Sequence, residues 1–183
     1  MYVTPGPNNA IVLMSGVRFG FWRTGPIILG ITVGHIIQLV CVCFGLGSIF
    51  VAYPGVQFFL KLCCSVYMIY LGYQIIGSFK KISEVDTKPI RFFEAAMFQI
   101  INPKAWTISS MVASGFLSEN GNMNFTILVI AITALIICPL SISPWALFGP
   151  AIKGFIDNKW VRILIEYFLS ITLLMTAIMI LIG

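Results

Sequence analysis

Between Arg23 and Lys61 the chain carries no charged side chain, and the same holds between Lys61 and Lys80 and between Glu119 and Lys153. A helix of about 20 apolar residues is long enough to cross the ~30 Å hydrocarbon core of a bilayer. Water cannot surround stretches of that length and composition in a stable fold. The rest of the chain agrees. Of its 183 residues 59% are hydrophobic and 9% are charged, with a mean hydropathy of +1.00, whereas soluble domains carry about 25% charged residues. The expected fold is an all-α membrane protein, one integral domain over 1–183 held in a lipid bilayer.

Six apolar segments are expected. They run from Tyr2 to Val17, then from about Gly25 to Val51, Val56 to Ser78, Phe92 to Phe116, Phe125 to Phe148, and Val161 to the end. A polar loop over 79–91 divides a first half (1–78) from a second half (92–183). Nine of the 11 basic residues fall in alternate connections: Arg18 and Arg23; Lys80, Lys81, Lys88 and Arg91; Lys153, Lys159 and Arg162. Such an excess marks cytoplasmic loops, so both termini are expected outside. The bias accounts for the net charge of +5, and no nucleic-acid partner is implied. No basic region precedes the first apolar run, which argues against a signal peptide. Trp22, Tyr53 and Trp160 sit at segment ends and read as interface anchors.

Two proline motifs interrupt this pattern. The first is Thr4-Pro5-Gly6-Pro7-Asn8-Asn9 and the second is Asn102-Pro103-Lys104. Proline lacks an N–H and pushes the preceding residue out of helical geometry. Irregular backbone at membrane depth is tolerated only against protein or a water-filled cavity. The regular helix of the first segment is expected only after Asn9. Asn102 lies 11 residues after Arg91 and Pro7 lies 11 before Arg18, about 16 Å along a helix in each case. Both breaks therefore fall near the midplane. The first and fourth segments open two three-helix halves of opposite orientation. Interrupted helices at matching positions of inverted halves point to a transporter's central site. The amides of Asn8, Asn9 and Asn102, the Thr4 hydroxyl and the charge of Lys104 would suit a zwitterionic solute. The alternative readings are a packing kink for the prolines and a lysine snorkelling to a vestibule for Lys104.

In order along the chain, Thr4-Pro5-Gly6-Pro7-Asn8-Asn9, Ser15-Gly16-Val17-Arg18-Phe19-Gly20, Leu29-Gly30-Ile31-Thr32-Val33-Gly34, Tyr67-Met68-Ile69-Tyr70-Leu71-Gly72 and Phe98-Gln99-Ile100-Ile101-Asn102-Pro103-Lys104-Ala105-Trp106 resemble the motifs of the LysE/RhtB family of amino-acid exporters. The resemblance covers essentially the whole chain. It implies a bacterial inner-membrane transporter that exports small amino acids or related metabolites by alternating access, with a proton as the coupling ion. The two breaks make Thr4, Pro5, Gly6, Pro7, Asn8, Asn9, Asn102, Pro103 and Lys104 the expected substrate contacts. The double-asparagine motif is most similar to the branch associated with cysteine or O-acetylserine. Family members usually begin with some fifteen more apolar residues, so either the first span is completed upstream of Met1 or the short segment only lines a cavity.

His35 is the only histidine, and Gln38 lies one turn further on the same face. The pair is a candidate for proton coupling or a neutral hydrogen-bonded histidine. Cys41, Cys43, Cys63, Cys64 and Cys138 lie in apolar segments and form no Cys-x-x-Cys motif. They read as small hydrophobes, and no metal, cofactor or catalytic residue is expected. A membrane thiol–disulfide carrier is a rival reading in which Cys138-Pro139 would be reactive. A non-transporting scaffold subunit is another. Pro139, Pro144 and Pro150 predict a bent fifth segment, either a gate or a kink. Gly30-x-x-x-Gly34 and Ser110-x-x-x-Ser114 allow close helix approach, within the chain before a homodimer.

Overall fold

The computed structural model describes residues 6–46, 52–77, 89–117, 122–156 and 158–182. Every regular element among them is helical. The order is α1 (Pro7–Phe19), α2 (Phe21–Cys41), a π-helical turn (Val42–Leu46), α3 (Pro54–Ile75), α4 (Phe92–Ile101), α5 (Pro103–Phe116), α6 (Met123–Ile156) and α7 (Lys159–Ile182). Pro7, Pro54 and Pro103 sit in the first turns of α1, α3 and α5, where the missing N–H has no helical partner to lose.

That preference corrects one expectation. The first helix starts at Pro7, so Asn8 and Asn9 belong to its first turn and not to an irregular lead-in. The second segment starts earlier than expected, at Phe21. A single residue, Gly20, joins it to α1 with φ 80°, a conformation that glycine adopts without strain. Thr24 closes this corner, donating to the Gly20 carbonyl at 2.8 Å and lying 2.9 Å from the Ser15 hydroxyl. The expected end of the segment at Val51 lies outside the described residues. The α6 helix is longer than expected. It runs 34 residues, straight through Pro139, Pro144 and Pro150, about 51 Å at helical rise.

Among the described residues, three helices are long and apolar enough to cross a membrane, and their buried shares differ: 56% for α2, 22% for α6 and 28% for α7. Helix α2 is therefore central. Helices α6 and α7 turn apolar side chains outward, Leu140, Leu147, Leu164 and Ile178 among them, as lipid contact requires. Trp22, Tyr53 and Trp160 also stand exposed. The fourth segment is divided. Asn102 (φ −83°, ψ 105°) separates α4 from α5, because Pro103 bars its predecessor from helical angles.

The most extensive pairings are α1 with α6, α2 with α4, α3 with α7, and α2 with α6. Lipid tails are as apolar as leucine, so helices associate through close fit rather than through hydrophobic exclusion. Backbone proximity is extreme at two of these pairs. A Cβ on Gly149 of α6 would lie 2.3 Å from the Gly16 carbonyl carbon of α1. One on Gly30 of α2 would lie 2.3 Å from the Phe92 carbonyl oxygen of α4, and one on Gly34 would lie 2.5 Å from that of Ala96. The Gly30/Gly34 pair thus packs within the chain. The serine pair differs, since Ser114 is exposed and donates to the Met111 carbonyl in its own helix. Leu13, Val17, Met68, Leu169 and Leu173 fill the α1–α3–α7 junction. Two polar links tie α3 to α7: Ser65 Oγ donates to the Ala177 carbonyl at 3.2 Å, and the Gly77 N–H donates to the buried Glu166 Oε2 at 2.9 Å.

Candidate functional site

Helices α1 and α5 begin at the same place. Asn102 Nδ2 donates to Asn8 Oδ1 at 2.8 Å, across 94 residues of sequence. The other end of the Asn102 amide caps α5, its Oδ1 accepting from the Lys104 N–H at 3.1 Å. Asn102 Nδ2 also lies 3.4 Å from Gln99 Oε1 in α4. One buried carboxamide thus joins α1, α4 and α5.

From this bridge α1 leads to Arg18, and α5 continues the chain beyond α4. Both present their N-termini to it. A helix N-terminus carries about half a positive charge from aligned peptide dipoles. Lys104 adds its ammonium group from the first turn of α5. Its chain lies over Gly6, where a Cβ would stand 3.1 Å from Lys104 Cδ and 3.2 Å from Nζ. The bridge region is therefore electropositive, a setting for a carboxylate. The C-terminus of α4 contributes carbonyl groups of the opposite sign.

A cavity of about 20 Å³ adjoins the bridge, lined by Gly6, Asn8, Asn9, His35, Asn102 and Lys104 together with Cys138 and Ile142. That is room for about one water, not for an amino acid. Pro7 separates it from a far larger chamber of about 900 Å³ between α1, α3 and α4. Its lining includes Arg18, Gly77, Ile90 and Glu94 together with Ile11, Met14, Tyr67, Leu71 and Phe98. Cavities of ~300–1,000 Å³ are the usual size for small-molecule sites.

Of the residues singled out from sequence, Gly6, Pro7, Asn8, Asn9, Asn102 and Lys104 come together here, and His35 joins them from α2. Gln38 is buried but does not line the cavity, and its carboxamide makes no hydrogen bond among the described residues. Pro103 opens α5. Thr4 and Pro5 lie outside the described residues. Sequence reasoning did not single out Gln99 as a site residue, although it lies in the motif that runs from Phe98 to Trp106, one turn before Asn102. It also missed the chamber. Cys138 is buried against the bridge cavity, and Cys41, Cys43, Cys63 and Cys138 are all free thiols. No cluster of three metal-ligating side chains occurs among the described residues.

The family model described as "LysE type translocator" matches residues 1–183. The chain is 27% identical over 148 residues to a cysteine/O-acetylserine efflux protein of Escherichia coli O157:H7, an alignment spanning 80% of this chain and 75% of that one. It is 30% identical over 103 residues to a protein of the same name from Escherichia coli (strain K12), spanning 56% of this chain and about half, 52%, of the relative. No solved structure matches the chain.

Proposed function

The chain belongs to the LysE type translocator family, and on that premise we propose that it exports small amino acids or amino-acid-like metabolites by alternating access at the Asn8–Asn102 bridge. It is an integral membrane protein and a transporter, not an enzyme. The observation that carries the proposal is the 2.8 Å hydrogen bond between the starts of α1 and α5, from residues 94 apart in sequence. In this reading the chain crosses the inner membrane of a bacterial cell six times, with the fourth span interrupted at Asn102 and the basic connections in the cytoplasm. The pairing pattern supports two inverted halves. Exchanging first with fourth, second with fifth and third with sixth segments turns the α1–α6 pairing into the α2–α4 pairing and leaves α2–α6 and α3–α7 unchanged.

Substrate reaches the bridge from the chamber, whose lining includes the basic residue Arg18. The bridge is closed in this conformation, with space for water alone, and it opens toward the other face to release the solute. The electropositive meeting of two helix N-termini and Lys104 receives the carboxylate. The names of the relatives suggest cysteine or O-acetylserine as first substrates to try.

The test is efflux of a panel of amino acids from loaded proteoliposomes, with and without an imposed proton gradient. We expect cysteine or O-acetylserine efflux that rises with an inward proton gradient, and Lys104→Met that inserts normally but loses at least tenfold in rate. That loss corresponds to about 1.4 kcal/mol or more. Full efflux by Lys104→Met removes Lys104 from the mechanism, and a panel with no transported member refutes export. A second variant addresses the thiol-carrier reading. Cys138→Ala is expected to export normally, since Cys138 packs among Ile28, Ile142 and Ala146 as a small apolar group. A redox phenotype in that variant would favour the rival reading.

A further inference from the structure

Two buried carboxamides have hydrogen-bonding capacity that the fold leaves unused. Gln38 of α2 is 6% exposed, and neither its Oε1 nor its Nε2 has a hydrogen-bond partner among the described residues. Gln99 of α4 is 0% exposed. Its Oε1 accepts from Asn102 Nδ2 at 3.4 Å, and its Nε2 has no partner among the described residues. Buried polar groups are nearly always paired, and one left unpaired weakens the fold. We infer that Gln38 and Gln99 recognise the exported solute, the two Nε2 groups donating to an acceptor oxygen in its side chain and Gln38 Oε1 accepting from its α-ammonium. This rests on the export reading above and names the substrate class, an amino acid whose side chain is uncharged and accepts hydrogen bonds.

Three observations place the two groups together beside the bridge. First, α2 and α4 run in register. A Cβ on Gly30 would meet Phe92 and Ala95; one on Gly34 would meet Ala96 and come 3.0 Å from Gln99 Cγ. Four residues further in α2 answer to four further in α4, so Gln38 comes level with 100–103, where α4 ends. Second, successive residues turn by about 100° around a helix. Gln38 therefore falls between Gly34, which faces Gln99, and His35, which lines the bridge cavity with Asn102 and Lys104. Third, a helical side chain leans back over the turn before it. The turn before Gln38 holds Gly34, which has no side chain to separate the two carboxamides.

The chemistry selects the ligand. Neither carboxamide is charged, and each Nε2 needs an acceptor. Lys104 and two helix N-termini already match the carboxylate of the solute, so the ammonium and the side chain remain for Gln38 and Gln99. The cavity beside them has about 20 Å³, so these bonds form when the bridge opens. The bond from Asn102 to Gln99 is long for an N–H to oxygen contact and yields readily at that step. A site built on hydrogen bonds also rejects a solute that cannot complete them.

The experiment compares O-acetyl-L-serine, kept at mildly acidic pH to preserve its ester, with L-norleucine, whose side chain has the same length and no oxygen. Melting in detergent is measured with and without each, and efflux is measured from proteoliposomes. Wild type is expected to be stabilised by O-acetyl-L-serine and to export it with a kcat/KM at least about tenfold above that of L-norleucine. Gln38→Met and Gln99→Met are each expected to lower this ratio about fivefold or more by raising the KM for O-acetyl-L-serine, as a lost hydrogen bond implies. Without solute, Gln38→Met and Gln38→Leu are expected to melt no lower than wild type, because an apolar group of similar size replaces an amide that made no bond. The inference is overturned if both Gln38 variants melt below wild type, which would show that the carboxamide has a partner in the resting fold, such as a buried water. It is also overturned if the preference for O-acetyl-L-serine survives in Gln38→Met and Gln99→Met, or if O-acetyl-L-serine neither stabilises wild type nor is exported by it. Stabilisation that the variants lose, without efflux from wild type, would sink the export reading and leave the two solute ligands standing. Wild-type efflux with unchanged preference in both variants would do the reverse.

Discussion

Asn102→Ala is expected to lose efflux at least tenfold and to destabilise the detergent-solubilised protein by about 2–3 kcal/mol, combining a lost helix cap with a stranded, partly buried acceptor. The side chain does two jobs with its two ends. Its Oδ1 caps α5 through the Lys104 N–H, and its Nδ2 bonds Asn8 Oδ1. The two jobs separate by substitution. Asn102→Asp keeps an oxygen for the cap, because aspartate is as good an N-cap as asparagine. It loses the donor and sets one acceptor against another at Asn8. Asn8→Asp keeps the bridge, since its carboxylate still accepts from Asn102 Nδ2. The prediction is therefore asymmetric: Asn8→Asp retains more efflux than Asn102→Asp, and only Asn102→Ala lowers stability through the cap. Thermal melting in detergent gives the stability order and proteoliposome efflux the functional order. Equal efflux from Asn102→Ala and wild type would show that the bridge has no part in transport.

The second large effect is structural. Gly30→Val is expected to prevent assembly of the α2–α4 pair, with a cost of about 3 kcal/mol or more, at or above the usual range for overpacking. A Cβ at this position would come 2.3 Å from the Phe92 carbonyl oxygen and 2.9 Å from the Ala95 Cβ. A backbone carbonyl cannot step aside as the end of a flexible side chain can, so the whole pair must separate. The bridge would then fail too, because α4 carries Asn102 at its end. The control is Gly115→Ala in α5, where nothing lies within 4 Å of the added carbon. That change is expected to be neutral or stabilising by up to about 1 kcal/mol, from the better helix propensity of alanine. Monodisperse, thermally stable Gly30→Val protein would contradict the close approach.

Much of this was legible in the residues because it follows from local rules. Charge-free stretches longer than a bilayer is thick require helices in lipid, since only there does every backbone group find a partner within its own segment. Pro7 and Pro103 mark helix starts whatever surrounds them, and Pro103 alone explains why Asn102 breaks the fourth segment. Counting 11 residues to Arg18 and 11 from Arg91 puts the two breaks at matching distances from the basic connections. The differences are also local. Asn8 and Asn9 lie inside α1 because proline favours the first helical position, and α6 continues past Phe148 because prolines within a lipid-exposed helix need not end it.

Pairwise placement was another matter. Nothing in the spelling of α1 says that Gly16 meets Gly149, or that Arg18 shares a chamber with Glu94. In a bilayer every apolar helix face is equally at home against lipid, so burial gives no ranking of partners. What ranks them is fit over a whole helix length, summed over contacts far apart in the chain. The solvent, the helices and the two breaks are properties of short stretches of this sequence. The bridge between Asn8 and Asn102, the small cavity beside it and the larger chamber exist only because the described helices pack in one arrangement.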